Sequence, residues 1–449
     1  MIVRVPLPEY MPDQSVNSNV LLTAENVIPA LDGYRPLKAF ATVSDPLAGA
    51  FQGGSSAISS SGETYMLAGT SAALYRLQDD NSWVSMISGL TVTGRWEFVQ
   101  FGDYVVSVNG SLTREVDLAG GTAGEIVAAP TGTSIAVIGD HVVIGQADGD
   151  IASVKWSAFR DHTAWTDGTN QAGSQPMQTG GAIMGIAGGE YGVILQRERL
   201  VRMSRTGDSD APFVFDEISA NFGCASGATI AQAGRTVFFR SDRGFMALED
   251  GQDLRPIGSE KVDRTFDAAV ARDSYDAMYT AVDPQNKLVF WVIPGAPGTV
   301  WIYNFELERW ATGSFNVSGV FPGFIVGSDV DAPALYFAND DDEIGTLTGS
   351  NLAAQMDLGY SELIQGRRAR VRKVRPVTDA TSGISLVLNA KARLGDSDSL
   401  TTASTLNASG VVPIRTSGRY ISSSLRISAG VAWSYTQSLE VDCAAGGDR

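Results

Sequence analysis

The chain has 449 residues, and its 33 Lys and Arg against 50 Asp and Glu give a formal net charge of −17. This excess of negative charge disfavours proteins that coat nucleic acid or an anionic membrane surface. No run of 18 apolar residues occurs and the first residues lack the pattern of a signal peptide, so we expect no membrane-spanning segment and assembly in a reducing cytoplasm.

Residues 1 to 45 are predicted to form an extended arm, because six prolines recur between positions 6 and 46 and interrupt regular structure. Within the arm, Ser15 to Val27 is predicted to form one short helix with Ser18 or Thr23 as its cap. Two roles are open for the arm. It supplies a strand to the repeats that follow, or it reaches a neighbouring subunit.

Residues 46 to 350 are predicted to form one domain built from repeats. Between residues 60 and 350 the chain repeats one short pattern seven times: a turn signal, an apolar strand, a second turn signal and another apolar strand. The first turns, 37 to 52 residues apart, are marked by Gly62, Gly102, Gly139, Gly189, Gly234, Asn286 and Ala332. The intervals read as strands because they are rich in β-branched and aromatic residues. One of them, Leu288 to Ile293, is apolar on both faces and is expected to lie between two layers.

A hairpin cannot bury its own faces, whereas units of 40 to 50 residues arranged around an axis bury them against their neighbours. The sequence therefore predicts an all-β protein with a β-propeller of about seven blades, six to eight being plausible. A β-sandwich, or two, is the alternative that also strings short strands together with glycine turns.

Residues 351 to 449 differ in composition and are predicted to form a separate C-terminal β-domain of sandwich type. Strands are expected at Ile384 to Leu388, Val411 to Ile414, Leu425 to Ile427 and Leu439 to Val441, each bounded by Ser, Gly or Asn.

A basic stretch within this last domain stands out against the acidic background. It contains Arg367, Arg368, Arg370, Arg372 and Lys373. On a strand, Arg368, Arg370 and Arg372 project from one face while Ala369 and Val371 pack on the other. A nucleic-acid site is one interpretation, but no aromatic residue is interleaved among the arginines. Pairing with carboxylates across a subunit or domain boundary is the favoured interpretation, which makes these residues a candidate subunit interface.

An acidic run lies near the end of the repeats, at Asp340, Asp341, Asp342 and Glu343. Clustered carboxylates suggest a calcium site, but the residue spacing of a calcium-binding loop is absent. A solvated hairpin tip, or a patch that faces a passage for an anionic polymer, is favoured.

Residues suited to catalysis are few. Only His141 and His162 could serve a nucleophile triad or a histidine metal site, and both are interpreted as structural. Cys224 and Cys443 imply neither a disulfide framework nor a thiolate cluster. We therefore expect no catalytic, metal-binding or cofactor-binding residues and no enzyme. A carbohydrate-binding or glycoside-cleaving propeller, with Trp83, Trp96, Trp156 and Trp165 along a sugar cleft, is the alternative.

Several segments in order along the chain resemble the tail nozzle, or tail hub, proteins of short-tailed bacteriophages, the tail accessory factors of podoviruses. They are Ala68–Thr70 with Leu74–Leu77, Trp96–Asp103, Val154–Asp161 through Trp165, Gly192–Leu195 with Val201–Met203, Phe222–Cys224, Ser241–Phe245, Pro256–Val262, Gly418–Tyr420 and Ala432–Trp433.

The resemblance implies a structural virion protein that assembles as a homohexameric ring in the tail. Its expected partners are the portal–adaptor ring, tail needle, plug or fibre proteins, and DNA that passes without sequence-specific binding. Carboxylates on the wall of such a conduit would repel phosphates, whereas Lys or Arg would bind them and slow the duplex. The lumen is therefore expected to be acidic, with Asp340 to Glu343 as candidate contributors.

Overall fold

The computed structural model describes residues 1–324 and 332–446, and strands make up nearly all of the regular structure in that range. Within it, helical structure is confined to α1 (Asp263–Ala269) and 3-10 turns at Ala147–Gly149, Gly227–Thr229 and Arg272–Ala277. The first 45 residues form β1 (Ile2–Pro6), β2 (Leu21–Glu25), β3 (Val27–Ala30), β4 (Gly33–Pro36) and β5 (Ala41–Thr42).

Seven four-stranded antiparallel units follow one another around an axis as the blades of a propeller. Blade 1 is β6 (Gly53–Ile58), β7 (Thr64–Gly69), β8 (Ala73–Leu77) and β9 (Trp83–Ser88); blade 2 is β10 (Glu97–Phe101), β11 (Tyr104–Val108), β12 (Thr113–Asp117) and β13 (Thr122–Glu125); blade 3 is β14 (Ser134–Ile138), β15 (His141–Gly145), β16 (Ser153–Trp156) and β17 (Gly173–Pro176); blade 4 is β18 (Ile183–Ala187), β19 (Gly192–Gln196), β20 (Leu200–Arg205) and β21 (Phe213–Ser219). Blade 5 is β22 (Ala231–Ala233), β23 (Thr236–Ser241), β24 (Gly244–Glu249) and β25 (Asp253–Pro256); blade 6 is β26 (Tyr279–Asp283), β27 (Leu288–Ile293), β28 (Gly295–Asn304) and β29 (Arg309–Val317); blade 7 is β30 (Gly319–Phe324), β31 (Pro333–Ala338), β32 (Ile344–Thr346) and β5.

The ring is closed by the N-terminal region. Strand β5 is the outermost strand of blade 7, antiparallel to β32, and β30 of the same blade packs against β6 of blade 1. The backbone N–H of Val43 donates to the carbonyl of Ile344 at 2.8 Å, and the Ser44 Oγ accepts from the Ile344 N–H at 3.0 Å. The arm therefore supplies the strand that joins the two ends of the propeller sequence.

The predicted all-β propeller is confirmed, and the repeats in the sequence correspond to its blades. The marker glycines of blades 1 to 5 and Asn286 of blade 6 lie in the turns between the first and second strands, all on one face of the ring. Strand β27 is buried on both faces, as expected: Val289 and Trp291 join one apolar cluster, while Leu288, Phe290 and Val292 join another. Each blade thus completes the core of its neighbours.

The C-terminal residues form a two-layer sandwich together with the N-terminal strands. Its strands are β33 (Ala354–Leu358), β34 (Ala369–Thr378), β35 (Ile384–Lys391), β36 (Ser399–Leu400), β37 (Ser404–Thr405), β38 (Thr416–Gly418), β39 (Tyr420–Ile427) and β40 (Thr436–Ala445). One layer, the outer sheet, contains β1, β3, β4, β40, β34 and β38; the other contains β2, β33, β39, β35, β36 and β37. This second layer continues into blade 6, because β2 pairs in parallel with β29.

Two local predictions are wrong. The segment Ser15 to Val27 contains β2 instead of a helix, because Leu21 and Ala24 are fully buried in the sheet that links the sandwich to blade 6. The segment Val411 to Ile414 forms only a single bridge, between Val412 and Val374. In both places tertiary burial of apolar side chains decided the backbone conformation.

Candidate functional site

A channel along the propeller axis has a volume of about 940 Å³ and is lined by the first strand of every blade. Many lining residues are small, such as Gly53, Gly54, Ala187 and Ala281, because seven strands converge there. The charged residues among the described lining are Arg95, Glu97 and Asp276.

Arg95 spans the mouth of this axial channel. It precedes β10 of blade 2, yet its guanidinium donates to the carbonyl oxygen of Met278, at the start of blade 6 on the opposite side of the ring. A second donation reaches the carbonyl of Asp276 at 3.4 Å, and the guanidinium lies 3.8 Å from the centre of the Tyr279 ring. Hydrogen bonds and a cation–π contact therefore hold the side chain across the opening.

The axial channel is too narrow for a DNA duplex. A strand of five residues is about 17 Å long, so 940 Å³ corresponds to a bore of only about 8 Å. The major groove of B-DNA alone is about 12 Å wide. With Arg95 across the mouth, no duplex passes through the propeller itself.

Glu97 lies in the channel beside this arginine. Burial raises the pKa of its carboxyl group above the usual range, and the positive charge of Arg95 partly opposes that shift. Its carboxylate forms no ion pair within 4 Å among the described residues, whereas Asp276 accepts a hydrogen bond from Ser226 Oγ at 2.6 Å. No role was predicted for Arg95 or Glu97 from the sequence. The available signal was two opposite charges on either side of Trp96, directly before and at the start of β10.

The acidic run predicted to face a passage forms the turn between β31 and β32. Asp340 and Asp341 are exposed, whereas Asp342 and Glu343 are half-buried. The Glu343 carboxylate accepts from Thr42 Oγ1 at 3.1 Å and from Asn339 Nδ2 at 3.0 Å, so it helps to hold the closing strand β5. Burial, together with Asp340 and Asp341, raises the pKa of Asp342. Within this acidic run, Asp340 and Asp341 are therefore the two carboxylates that are exposed to solvent.

The candidate interface residues lie at β34 in the outer sheet. Arg370, Arg372 and Lys373 are exposed on this strand, while Ala369 and Val371 are buried in the sandwich core. Arg367 is exposed in the preceding turn, and Arg368 is half-buried next to it. Arg372 pairs with Asp442 of β40 at 2.7 Å.

The residues of the carbohydrate alternative are mostly inside the protein. Trp96, Trp156 and Trp165 are at least 94% buried, and their indole N–H groups donate to backbone carbonyls. Trp83 is half-buried and donates to the carbonyl of Asp45 at 2.8 Å. Buried rings cannot stack on a sugar, so these tryptophans pack between sheets.

The two histidines have structural surroundings. His141 is fully buried, with Nδ1 2.8 Å from the Ser157 carbonyl oxygen, and burial lowers its pKa. His162 Nε2 lies 2.6 Å from Glu115 of the neighbouring blade. Both cysteines are buried and unbridged, and burial raises the pKa of Cys224 to about 12. No group of three or more His, Cys, Asp or Glu suited to a metal ion occurs in the described ranges.

Charge is divided unequally along the chain. Residues 46–350 contain 18 Lys and Arg against 37 Asp and Glu, a net charge of −19. Residues 351–449 contain 12 against 8, a net charge of +4. The acidic character of the protein therefore belongs to the propeller, whereas the C-terminal part of the sandwich has a small net positive charge.

Comparisons with known proteins find no sequence relative and only distant structural neighbours. No protein-family model matches the sequence, and no curated protein matches it significantly. Among solved structures, virginiamycin B lyase from Staphylococcus aureus aligns over 68% of this chain and 98% of its own at 11% identity, with a TM-score of 0.44. The WD40 repeats of RRP9 align over 67% and 92% at 10% identity, with a TM-score of 0.41. In the described part of the chain, no helix is both long and apolar enough to span a bilayer.

Proposed function

We propose that this protein is a non-enzymatic virion component, one subunit of a homo-oligomeric tail nozzle in a short-tailed bacteriophage. The ring, of six copies by resemblance, would lie below the portal and adaptor rings and form the genome-exit channel. The observation that carries the proposal is the charge division, an acidic propeller fused to a domain of opposite sign. Because head-to-tail contacts close into rings when the rotation permits, such a subunit suits a ring that surrounds an anionic polymer.

The narrow axial channel supports a conduit formed between subunits. An 8 Å bore crossed by Arg95 leaves no route for a duplex inside one propeller, so the passage would lie on the symmetry axis of the ring. Each wall would then be an outer surface of the subunit. Acidic surfaces suit that position, because they do not bind successive phosphates.

The continuous sheet from blade 6 into the sandwich supports the role of a rigid building block. Glu25 of β2 pairs with Thr312 of β29, and the Asn26 side chain donates to the carbonyl of Ala353 at 2.8 Å and accepts from the Ser314 N–H at 2.8 Å. A conduit under the pressure of genome passage needs subunits whose two domains keep their relative orientation.

Light scattering and electron microscopy of the purified protein test this proposal. We expect particles of several hundred kilodaltons, built from chains of 47.5 kDa, with a central opening wide enough for a duplex. Antibody labelling of particles that contain the chain should mark the tail. A protein that stays monomeric with the purified adaptor present, and that binds glycans, would contradict the nozzle and favour the carbohydrate alternative.

A further inference from the structure

The outer sheet of the sandwich has one solvent-facing surface dominated by cations. This surface, here called the basic face, presents Arg4 of β1 and Arg370, Arg372, Lys373 and Arg375 of β34, all exposed. Among the described residues, the carboxylates on this face are Glu440 and Asp442 of β40. Both are half-buried, and β40 lies between β1 and β34.

A β-bulge concentrates the charge. The pairing of β34 with β40 shifts register between Val371 and Lys373, so Arg372 and Lys373 both point to solvent instead of alternating. Without the bulge, one of these two side chains would face the apolar core. The local backbone therefore adds a cation to the surface.

Most of these cations lack a partner within the described chain. Arg372 is paired with Asp442, and Arg4 Nε donates to Ser438 Oγ at 2.9 Å. No carboxylate of the described residues lies within 4 Å of the Lys373 or Arg375 charge, although Arg375 is opposite Glu440 in register. Elsewhere on the protein, Arg76, Arg114 and Arg235 are among the arginines in ion pairs. Arg202, Arg205 and Arg243 stack on aromatic rings instead.

We infer that the basic face binds the acidic propeller of a second copy of this chain, in a head-to-tail contact. This inference rests on the proposed ring and names the surface that builds it. The two surfaces have opposite charge and are present in equal number, and complementary charge fixes register and accelerates association. Four neighbouring strands about 4.8 Å apart, with ten residues in β34, give a face of about 600 Å². That is close to the 800 Å² per partner of a standard interface.

A protein partner fits the basic face better than DNA does. Sequence-independent sites for single-stranded nucleic acid combine cations with aromatic side chains on which bases stack. Strand β34 has no aromatic residue, and two carboxylates lie between its cations and Arg4. Carboxylates repel phosphates, yet they can orient the surrounding guanidinium groups toward acidic side chains of another protein.

Zero-length cross-linking tests the contact directly, because Lys373 is the only lysine among the described residues of the basic face. A carbodiimide joins amines to carboxylates in contact, and a mixture of ¹⁵N-labelled and unlabelled full-length protein separates inter-copy from intra-copy links. We expect inter-copy links from Lys373 to carboxylates within residues 46–350. The Lys373→Arg variant keeps the charge but lacks the amine, so it should associate normally and lose these links. Links from Lys373 only to Glu440 or Asp442 of the same copy would overturn the inference.

Charge reversal supplies a second readout. The Arg370→Glu/Arg375→Glu variant should weaken self-association at least tenfold by light scattering, and salt should weaken the wild type in the same direction. Arg393→Glu/Arg426→Glu is the matched control, because it changes net charge equally but alters exposed residues of the other layer. Circular dichroism establishes that each variant is folded. Equal association of both variants would refute the contact, as would loss of duplex-DNA binding as the only effect of reversal at the basic face.

The outcomes separate this inference from the proposed function. If the protein is located in phage tails and still forms rings after charge reversal at the basic face, the proposed nozzle function is retained and this interface is refuted. If the protein associates through the basic face but is absent from virions, this interface is supported and the nozzle function is refuted.

Discussion

Arg95 links blade 2 to the start of blade 6 across the mouth of the axial channel, and its removal should lower stability measurably. We expect Arg95→Ala to lower the free energy of unfolding by about 1.5–3 kcal/mol, the usual value of a hydrogen bond to a charged group. The fully buried Met278 would lose a donor to its carbonyl oxygen, and Tyr279 would lose its cation.

Urea unfolding of the purified protein measures this change. Arg95→Lys is the informative control, because it keeps the charge but not the planar group that stacks on Tyr279, and it should fall between the wild type and Arg95→Ala. An unchanged midpoint for Arg95→Ala would show that the contact across the channel mouth does not hold the ring together.

Glu97 should make stability depend on pH in the direction opposite to that of most carboxylates. Its pKa is raised in the folded state by burial, so the folded protein holds this proton to higher pH than the unfolded chain does. The stabilising effect of the neutral form is complete below the unfolded pKa and is lost as pH rises through the folded pKa. Glu97→Gln should therefore be more stable than the wild type at pH 7, with a smaller difference at pH 4.

Unfolding midpoints of both proteins across that pH range provide the measurement. In the Arg95→Ala background the gain from Glu97→Gln should be larger, because the cation that partly stabilises the carboxylate is absent. A Glu97→Gln protein less stable than the wild type at pH 7 would show that the ionised carboxylate contributes favourable contacts.

Strand β5 is only two residues long, yet it and the residues that follow it close the propeller ring. We expect Ser44→Ala to cost about 1–3 kcal/mol, because the fully buried Ile344 N–H loses the acceptor that joins the closing segment to β32. Ser71→Ala, an exposed serine of a blade 1 turn, is the control and should change little. Thermal unfolding followed by circular dichroism compares them, and equal midpoints would argue against closure by this segment.

The strands that the sequence predicted, and those it did not, differ in their distance from the axis. Second and third strands such as β27 are apolar because neighbouring blades cover both of their faces. The first strand β6 is rich in small residues such as Gly53 and Gly54, because the axis is crowded, and fourth strands such as β13 are partly exposed and polar. Hydrophobic patterning therefore detects only the second and third strands of a blade. The spacing of the turn residues along the chain was nevertheless enough to predict about seven blades.

The sandwich was harder to predict because its strands come from both ends of the chain. Strands β1 and β40 pair over positions separated by more than 430 residues, and no local pattern reports such pairing. The alternation in β34 was visible in the sequence, since Ala369 and Val371 had to face a core. The bulge that turns Arg372 and Lys373 to the same side was not visible in the sequence, because it depends on the register of β34 against β40.

For the whole molecule, the division of charge predicts how a tail assembled from this chain would release its genome. Asp340 and Asp341 are the exposed pair of the acidic turn, so Asp340→Lys/Asp341→Lys should place cations where the proposed conduit repels phosphates. Each added contact steepens the dependence of log K on log salt by about 0.9, so ejection should slow at low salt and recover as salt rises.

The same reversal at Asp79 and Asp80, in the outer turn of blade 1, changes net charge equally without altering the acidic turn. Ejection triggered from purified particles and followed by a DNA-binding dye gives the rate for each variant over a range of salt. A rate reduced in both variants would report a general effect of net charge. An unchanged rate for the Asp340/Asp341 variant would place that turn outside the path of the duplex, and the acidic wall would then have to be sought on another surface of the propeller.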